Sequence, residues 1–336
     1  MTEVEKKIIR DLRLQARKES QKCYNPGCNK LAIRSHIQQA EGPLREIADN
    51  GFVMQLQTRP FFLEQRYSFI KEHIKNEKGS VLTFWGFCNS CDSKLFKPIE
   101  QKTYDFYDYK NQLLHAYRGF LSEHYKQEYN LKHYKLIFGD KKISKQTKNN
   151  WQHTNLKFQI SVCFGKYFKQ LFEKDINKKK LWFLSKANNF EFITLKLPRI
   201  EICTSTVFAY PYEANVSKDL KEKIENGLPI KPQGAIISIS LVPHGQYTYC
   251  ILGQPLESYI NKLQFNEISK FTTEESLNLV NGILIKNIET WCMSLAFYDD
   301  LRKTGKDKKL LLEIHKHLPA DKKRSTVKFN VFEEST

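Results

Sequence analysis

Four cysteines stand in two close pairs, Cys23-Tyr-Asn-Pro-Gly-Cys28 and Cys88-Asn-Ser-Cys91, and one histidine, His36, lies between them. An aspartate, Asp92, follows the last cysteine directly. Thiolates spaced C-x4-C and C-x2-C can wrap one Zn2+ tetrahedrally at about 2.3 Å each. Four sulfurs leave no open coordination position, so a zinc ion held this way is structural. His36 and Asp92 carry other chemistry. An imidazole with an ordinary pKa near about 6.5 is a base at neutral pH. A carboxylate is a hard ligand suited to Mg2+ or Mn2+. A base that activates water and a cation that neutralises phosphate charge are what phosphodiester hydrolysis requires.

These residues need elements to position them. Residues 3–22 read as one helix, with Val4, Ile8, Ile9, Leu12 and Ala16 at helical spacing and basic residues on the other faces. Pro26-Gly27 supplies a turn between the first two cysteines. Lys30–Gln38 reads as a short strand carrying His36, and Val81–Phe87 as a second strand. Asn89 or Ser90 can cap a helix holding Cys91 and Asp92, which Pro98 ends or kinks. A zinc ion tying the first knuckle to this helix would turn His36 toward Asp92. Between the two strands, residues 40–80 form a long insertion, expected to be partly helical. Residues 102–135 read as a long amphipathic helix, and the lysine-rich stretch 141–150 as a linker.

The second half opens with a helix over 151–177 and then turns to strand patterning at 190–197, 200–210 and a hairpin spanning 234–252. Residues 255–300 and 308–317 return to helix. The expected fold class is α+β: residues 1–140 as a zinc-bound ββα unit with helical surroundings, and 141–336 as a mixed β-rich unit with C-terminal helices. The four isolated cysteines, Cys163, Cys203, Cys250 and Cys292, sit among apolar residues and are expected inside. His244 falls in the hairpin, and His315 and His317 do not share a helical face.

The chain carries 54 basic and 37 acidic side chains, a net charge of +17. That balance favours polyanionic partners, nucleic acid first and an anionic membrane surface second, with DNA expected ahead of RNA as the nucleic-acid partner. A charged N-terminal stretch and the lack of any long apolar run point to a cytoplasmic protein without membrane spans. Close cysteine pairs in that setting suggest metal rather than disulfides.

The arrangement over residues 20–100 resembles the HNH, or ββα-metal, endonucleases. In zinc-bound members a cysteine pair precedes the strand that ends in the catalytic histidine, and a second pair opens the helix. The resemblance implies His36 as general base, Asp92 as ligand of a catalytic Mg2+ or Mn2+, and Cys23, Cys28, Cys88 and Cys91 as structural zinc ligands. Ser35 stands where the family usually has a further metal ligand, and Glu100, eight residues beyond Asp92, is the candidate to replace it. The insertion offers Asn50 as the nearest counterpart to the middle Asn of the family name. Arg34 and Lys94 flank the site. The implied activity is metal-dependent endonuclease, in a host-defence or toxin setting, with residues 141–336 supplying targeting, regulation or homo-oligomerisation. The competing expectation is a zinc-stabilised nucleic-acid-binding regulator that does not cut.

Overall fold

A computed structural model describes residues 1–18, 21–58, 67–75, 81–178, 188–209, 218–232, 234–257, 260, 262–318 and 327–333. The chain opens with α1 (Glu3–Lys18), started by a reciprocal cap in which Thr2 N–H donates to the Glu5 carboxylate and Glu5 N–H to the Thr2 hydroxyl. After the cysteine knuckle come β1 (Arg34–His36), α2 (Pro43–Ile47), the hairpin β2 (Phe52–Thr58) and β3 (Tyr67–His73), β4 (Thr83–Trp85) and α3 (Asn89–Phe96). A 3-10 turn at Lys97–Ile99, set by Pro98, ends α3. Two long helices follow, α4 (Tyr109–Gly139) and α5 (Lys145–Ile176).

The remainder runs β5 (Phe190–Pro198), β6 (Ile202–Ala209), α6 (Lys218–Glu225), β7 (Ile236–His244), β8 (Tyr247–Pro255), α7 (Phe265–Ile268), α8 (Thr273–Asn287), β9 (Cys292–Met293), α9 (Leu295–Lys303) and α10 (Lys306–His317). The fold is α+β. Its large sheet has seven strands in the order β3-β2-β9-β6-β7-β8-β5, with every pair antiparallel. A separate two-stranded sheet pairs β1 with β4.

One expectation is met in part and one is corrected by this topology. The insertion is helical in part, as expected, at α2, and the hairpin β2–β3 that follows was not expected. Tyr67-Ser-Phe-Ile-Lys-Glu-His and Phe52-Val-Met-Gln-Leu-Gln-Thr pair in register, and β9 fastens β2 to the large sheet. The stretch 141–150 is not a linker. Ser144 caps α5 by accepting from Thr147 N–H, and the lysines that followed it form exposed turns of that helix. Strands from residues 52–73 and from residues 190–293 thus share one sheet, and the two expected units meet in one core.

The sheet is covered on both faces. Against one lies α4, whose Leu113, Leu114, Tyr117, Phe120 and Leu121 share a core with Phe87 and Phe96 of the first unit and with Phe172, Phe190 and Cys203. Against the other lie α8 and α10, through Val280, Ile283, Leu284, Leu310 and Ile314 packed with Ile237, Ile239 and Leu252. Gly119 lets α4 touch the sheet. A Cβ there would lie 2.7 Å from the Thr206 backbone nitrogen and from the Ser205 hydroxyl. From Asn111 to Ser122 every residue of α4 is buried, polar ones included. This helix is therefore a central rod rather than the amphipathic surface helix expected. The isolated cysteines Cys163, Cys203, Cys250 and Cys292 are all buried and free.

Candidate metal centre

The knuckle that opens the site folds by local rules. Cys28 N–H donates to Asn25 O, Gly27 takes a left-handed φ of 76°, and Cys23 N–H reaches Lys30 O. Tyr24 N–H donates to Gly86 O and Ile33 N–H to Phe87 O, which ties the knuckle to the chain entering α3. Cys88 is the N-cap of α3, and Cys91 sits in its first turn. The four sulfurs of Cys23, Cys28, Cys88 and Cys91 lie within 4.8 Å of one another, and no disulfide joins them. The Cys28 and Cys88 sulfurs are 3.8 Å apart. A tetrahedron with about 2.3 Å metal–sulfur bonds has edges of about 3.8 Å. The donor set fits zinc.

Thiols gathered this closely oppose one another's ionisation. Burial and the neighbouring thiols push Cys91 up to about 12, whereas hydrogen bonding from the Ser90 hydroxyl draws Cys88 down to about 6. A bound divalent cation removes that conflict by holding all four as thiolates.

Next to this cluster, β1 and β4 pair antiparallel with His36 opposite Thr83 and Ser35 opposite Phe84. The chain then enters α3 directly. Ser35 is buried, and its hydroxyl accepts from Phe87 N–H at 3.2 Å, so it braces the strand to the approach of the helix. His36 closes β1. Its Nε2 is buried and has no hydrogen-bond partner among the described residues. Burial and the positive charge of Arg118 hold the imidazole below its ordinary value, while the Ile74 carbonyl and the Glu100 charge pull weakly the other way. The ring is neutral at pH 7.

Asp92 lies in the first turn of α3, its backbone N–H donating to Cys88 O. One carboxylate oxygen, Oδ2, lies 3.5 Å from Arg118 Nη2. The other, Oδ1, is buried with no partner among the described residues. Burial raises the Asp92 pKa, Arg118 opposes that rise, Glu100 adds to it, and hydrogen bonding from the Ser35 hydroxyl lowers it. Glu100 caps the 3-10 turn and accepts from Arg118 Nη2 at 2.6 Å.

Arg118 was not anticipated. It sits in the middle of α4, is 2% exposed, and its guanidinium stacks 4.0 Å over the Phe96 ring. Its hydrogen bonds to both carboxylates make it an internal cation between them. The only available signal was an arginine inside the apolar run Leu113–Leu121, where a solvated charge has no place. Behind it, His115 shares a hydrogen bond with the Tyr104 hydroxyl at 2.8 Å and is held down to about 3 by burial and by Arg118.

The structure thus gathers the four cysteines into one cluster and sets His36, Asp92, Glu100 and Arg118 in one electrostatic neighbourhood. His36, Asp92 and Glu100 do not converge as three ligands on one point; among the described residues only the cysteines form such a group. Arg34 lies 5.6 Å from the Trp85 ring and Lys94 is exposed. Asn50 serves the turn before β2, at φ 48° and bonded to Asp49. His244 stacks near Phe106, His315 Nε2 accepts from Tyr67 N–H, and His317 faces Glu313, so none joins the site. Among the described residues no helix is long and apolar enough to cross a membrane. Comparison with family models, with curated proteins and with solved structures found no match.

Proposed function

We propose that the chain is a metal-dependent endonuclease of the HNH, or ββα-metal, kind. One observation carries this reading. In a strand–strand–helix unit framed by four convergent thiols, a neutral imidazole nitrogen and a carboxylate oxygen are both buried and both unpartnered among the described residues. Buried polar atoms are nearly always satisfied, so these two orphans, with the unpartnered Arg118 Nε beside them, mark a place built for something else. An imidazole and a carboxylate suit a water and a hard divalent cation.

In this reading His36 Nε2 takes the proton from an attacking water, and its depressed pKa keeps it ready to do so at pH 7. Asp92 Oδ1 would hold a divalent cation, Mg2+ or Mn2+, and that ion would supply neutralisation of charge on the scissile phosphate and the leaving oxygen. Arg118 opposes the rise in pKa that burial imposes on Asp92. Glu100 orients Arg118 by accepting from its guanidinium, rather than serving as the second ligand. Zinc in the cysteine cluster fixes β1 against α3 and takes no part in the reaction.

The test is cleavage of supercoiled plasmid, single-stranded DNA and RNA with Mg2+ or Mn2+, alongside His36→Ala and Asp92→Ala. Cutting by the parent that both changes abolish supports the assignment, and cutting that survives both overturns it. Arg118 favours a second reading, a zinc-stabilised nucleic-acid-binding regulator, because the guanidinium already neutralises part of the acidic pair that a cation would need. Nucleic-acid binding without cutting in any divalent metal selects that alternative.

A further inference from the structure

A groove of about 670 Å3 opens between α1, α4 and α5 and runs to the edge of the β1–β4 sheet. Its inner end is lined by Ile37, which follows His36 in the chain, and by Thr83, the register partner of His36. Its walls present Arg10 and Arg13 from α1, Tyr125, Lys126 and Tyr129 from α4, and Trp151 from α5. The rings of Tyr125, Tyr129 and Trp151 are half-buried, so each keeps part of its surface open. Tyr125 and Tyr129 are one helical turn apart and stack with 23° between their planes, and the Arg13 guanidinium lies 6.0 Å from the Tyr129 ring. Glu289 is the one carboxylate among the lining residues.

On the floor of the groove the Ser122 hydroxyl is buried and has no partner among the described residues. A buried orphan hydroxyl in a roomy polar cavity is a place where a ligand group can bond. Gln55 and Gln57, two apart on β2, reach the groove from one face of that strand with amides able to meet base edges.

Aromatic faces interleaved with cationic heads are the chemistry that grips unpaired nucleotides: rings stack on bases, and guanidinium groups meet phosphates. A cavity of this volume takes about one or two nucleotides, less than a segment of duplex. We propose that this groove binds single-stranded nucleic acid, stacking unpaired bases on Tyr125, Tyr129 and Trp151 with phosphates on Arg10 and Arg13, and leads the strand to His36. Binding in the groove stands on its own observations; delivery to His36 rests on the endonuclease reading.

The test uses full-length His36→Ala protein, which holds substrate without cutting it, with fluorescein-labelled oligothymidylate and a labelled duplex of equal length, read by anisotropy. Arg10→Glu reverses an exposed charge, and Tyr125→Leu removes one stacking face. Expected are a preference for the single strand and a loss of affinity in Tyr125→Leu of roughly 5- to 150-fold, the range for losing one stacked base. Arg10→Glu should weaken binding and flatten its salt dependence, with circular dichroism showing the variant folded at the assay temperature. Duplex binding as tight as single-strand binding, or affinity untouched by Arg10→Glu, overturns the proposal. Adenosine monophosphate competing as well as the oligomer also overturns it, because the groove would then be a nucleotide pocket. If the groove variants bind poorly while the parent cuts nothing, the groove stands and the endonuclease reading falls. If the parent cuts and Arg10→Glu cuts single strands with unchanged KM, delivery falls instead.

Discussion

Cys91 and Asp92 are adjacent in the chain and share the first turn of α3, yet they belong to two clusters that gather negative donors in opposite ways. Four thiols converge; burial raises Cys23, and burial with the neighbouring thiols raises Cys91. One residue further on, two carboxylates meet a cation that the chain itself supplies, the Arg118 guanidinium. The first cluster is an incomplete structure that an external ion completes. The second is already held together, with one imidazole nitrogen, one carboxylate oxygen and the Arg118 Nε left over among the described residues. Metal dependence of folding and metal dependence of chemistry should therefore separate cleanly in this protein.

The largest effect belongs to the thiols. Structural zinc in small sites contributes about 10–16 kcal/mol of apparent binding free energy at neutral pH, and that energy is folding energy. A strong zinc chelator, or Cys88→Ser, should unfold the β1–β4–α3 unit and expose Phe87 and Phe96, which are both fully buried. Circular dichroism melts should show a drop of more than about 10 °C or loss of the cooperative transition. Unchanged melting after chelation and in Cys88→Ser would remove zinc from the account.

Arg118→Met tests the other side of the comparison. The side chain is nearly isosteric along its stem, but Asp92 and Glu100 lose their shared counter-charge. Removing one partner of a buried ion pair costs about 3–5 kcal/mol, and the partial exposure of both carboxylates puts the expectation at the lower end. Urea denaturation reads this directly. Adding Glu100→Gln to Arg118→Met should recover part of the loss, since one fewer carboxylate then needs neutralising. Mg2+ should stabilise Arg118→Met more than the parent, because the ion can enter the place the guanidinium leaves. No difference between the two proteins in Mg2+ would mean that the acidic pair does not bind the cation.

The same contrast explains what could be read before any coordinates. The cysteine cluster was legible because each half is local: Pro26-Gly27 makes the first turn, and C-x2-C falls naturally across a helix start. His36 and Asp92 were legible by adjacency to those pairs. Arg118 was not, because it reaches Asp92 from 26 residues away and Glu100 from 18. Helical periodicity assigns an arginine on the far side of an apolar stripe to solvent, and only the burial of α4 on all faces overrules that assignment. The β2–β3 hairpin was missed for a related reason. Its anchor in the large sheet is the two-residue strand Cys292–Met293, far off in the chain and too short to carry a pattern. The misplaced linker at 141–150 came from reading lysines as a boundary when Ser144 was a helix cap.

His36→Ala should separate chemistry from architecture. General-base catalysis contributes typically about 10²–10⁴-fold in rate. On the endonuclease reading cutting should fall by that amount, with only a modest drop in melting temperature, because Nε2 gives up no hydrogen bond to the described residues and the ring loses one, to the Ile74 carbonyl. A large fall in stability instead would make His36 part of the frame and move it to the cysteine side of the comparison.

The smallest effect is the most specific. Burial and Arg118 both lower the His36 pKa. A base is active when unprotonated, so the acid limb of the cutting rate should lie below the ordinary histidine value of about 6.5. Arg118→Met removes the positive charge and leaves Asp92 and Glu100 less compensated, and both changes favour the imidazolium. The limb should therefore move toward neutral pH, and activity at pH 6 should fall relative to that at pH 8. Glu100→Gln works in the opposite sense: it removes a negative charge that raises the His36 pKa, so the limb should move slightly to lower pH. A limb that stays put in both variants would show that His36 does not feel the Arg118 cluster and that the base lies elsewhere.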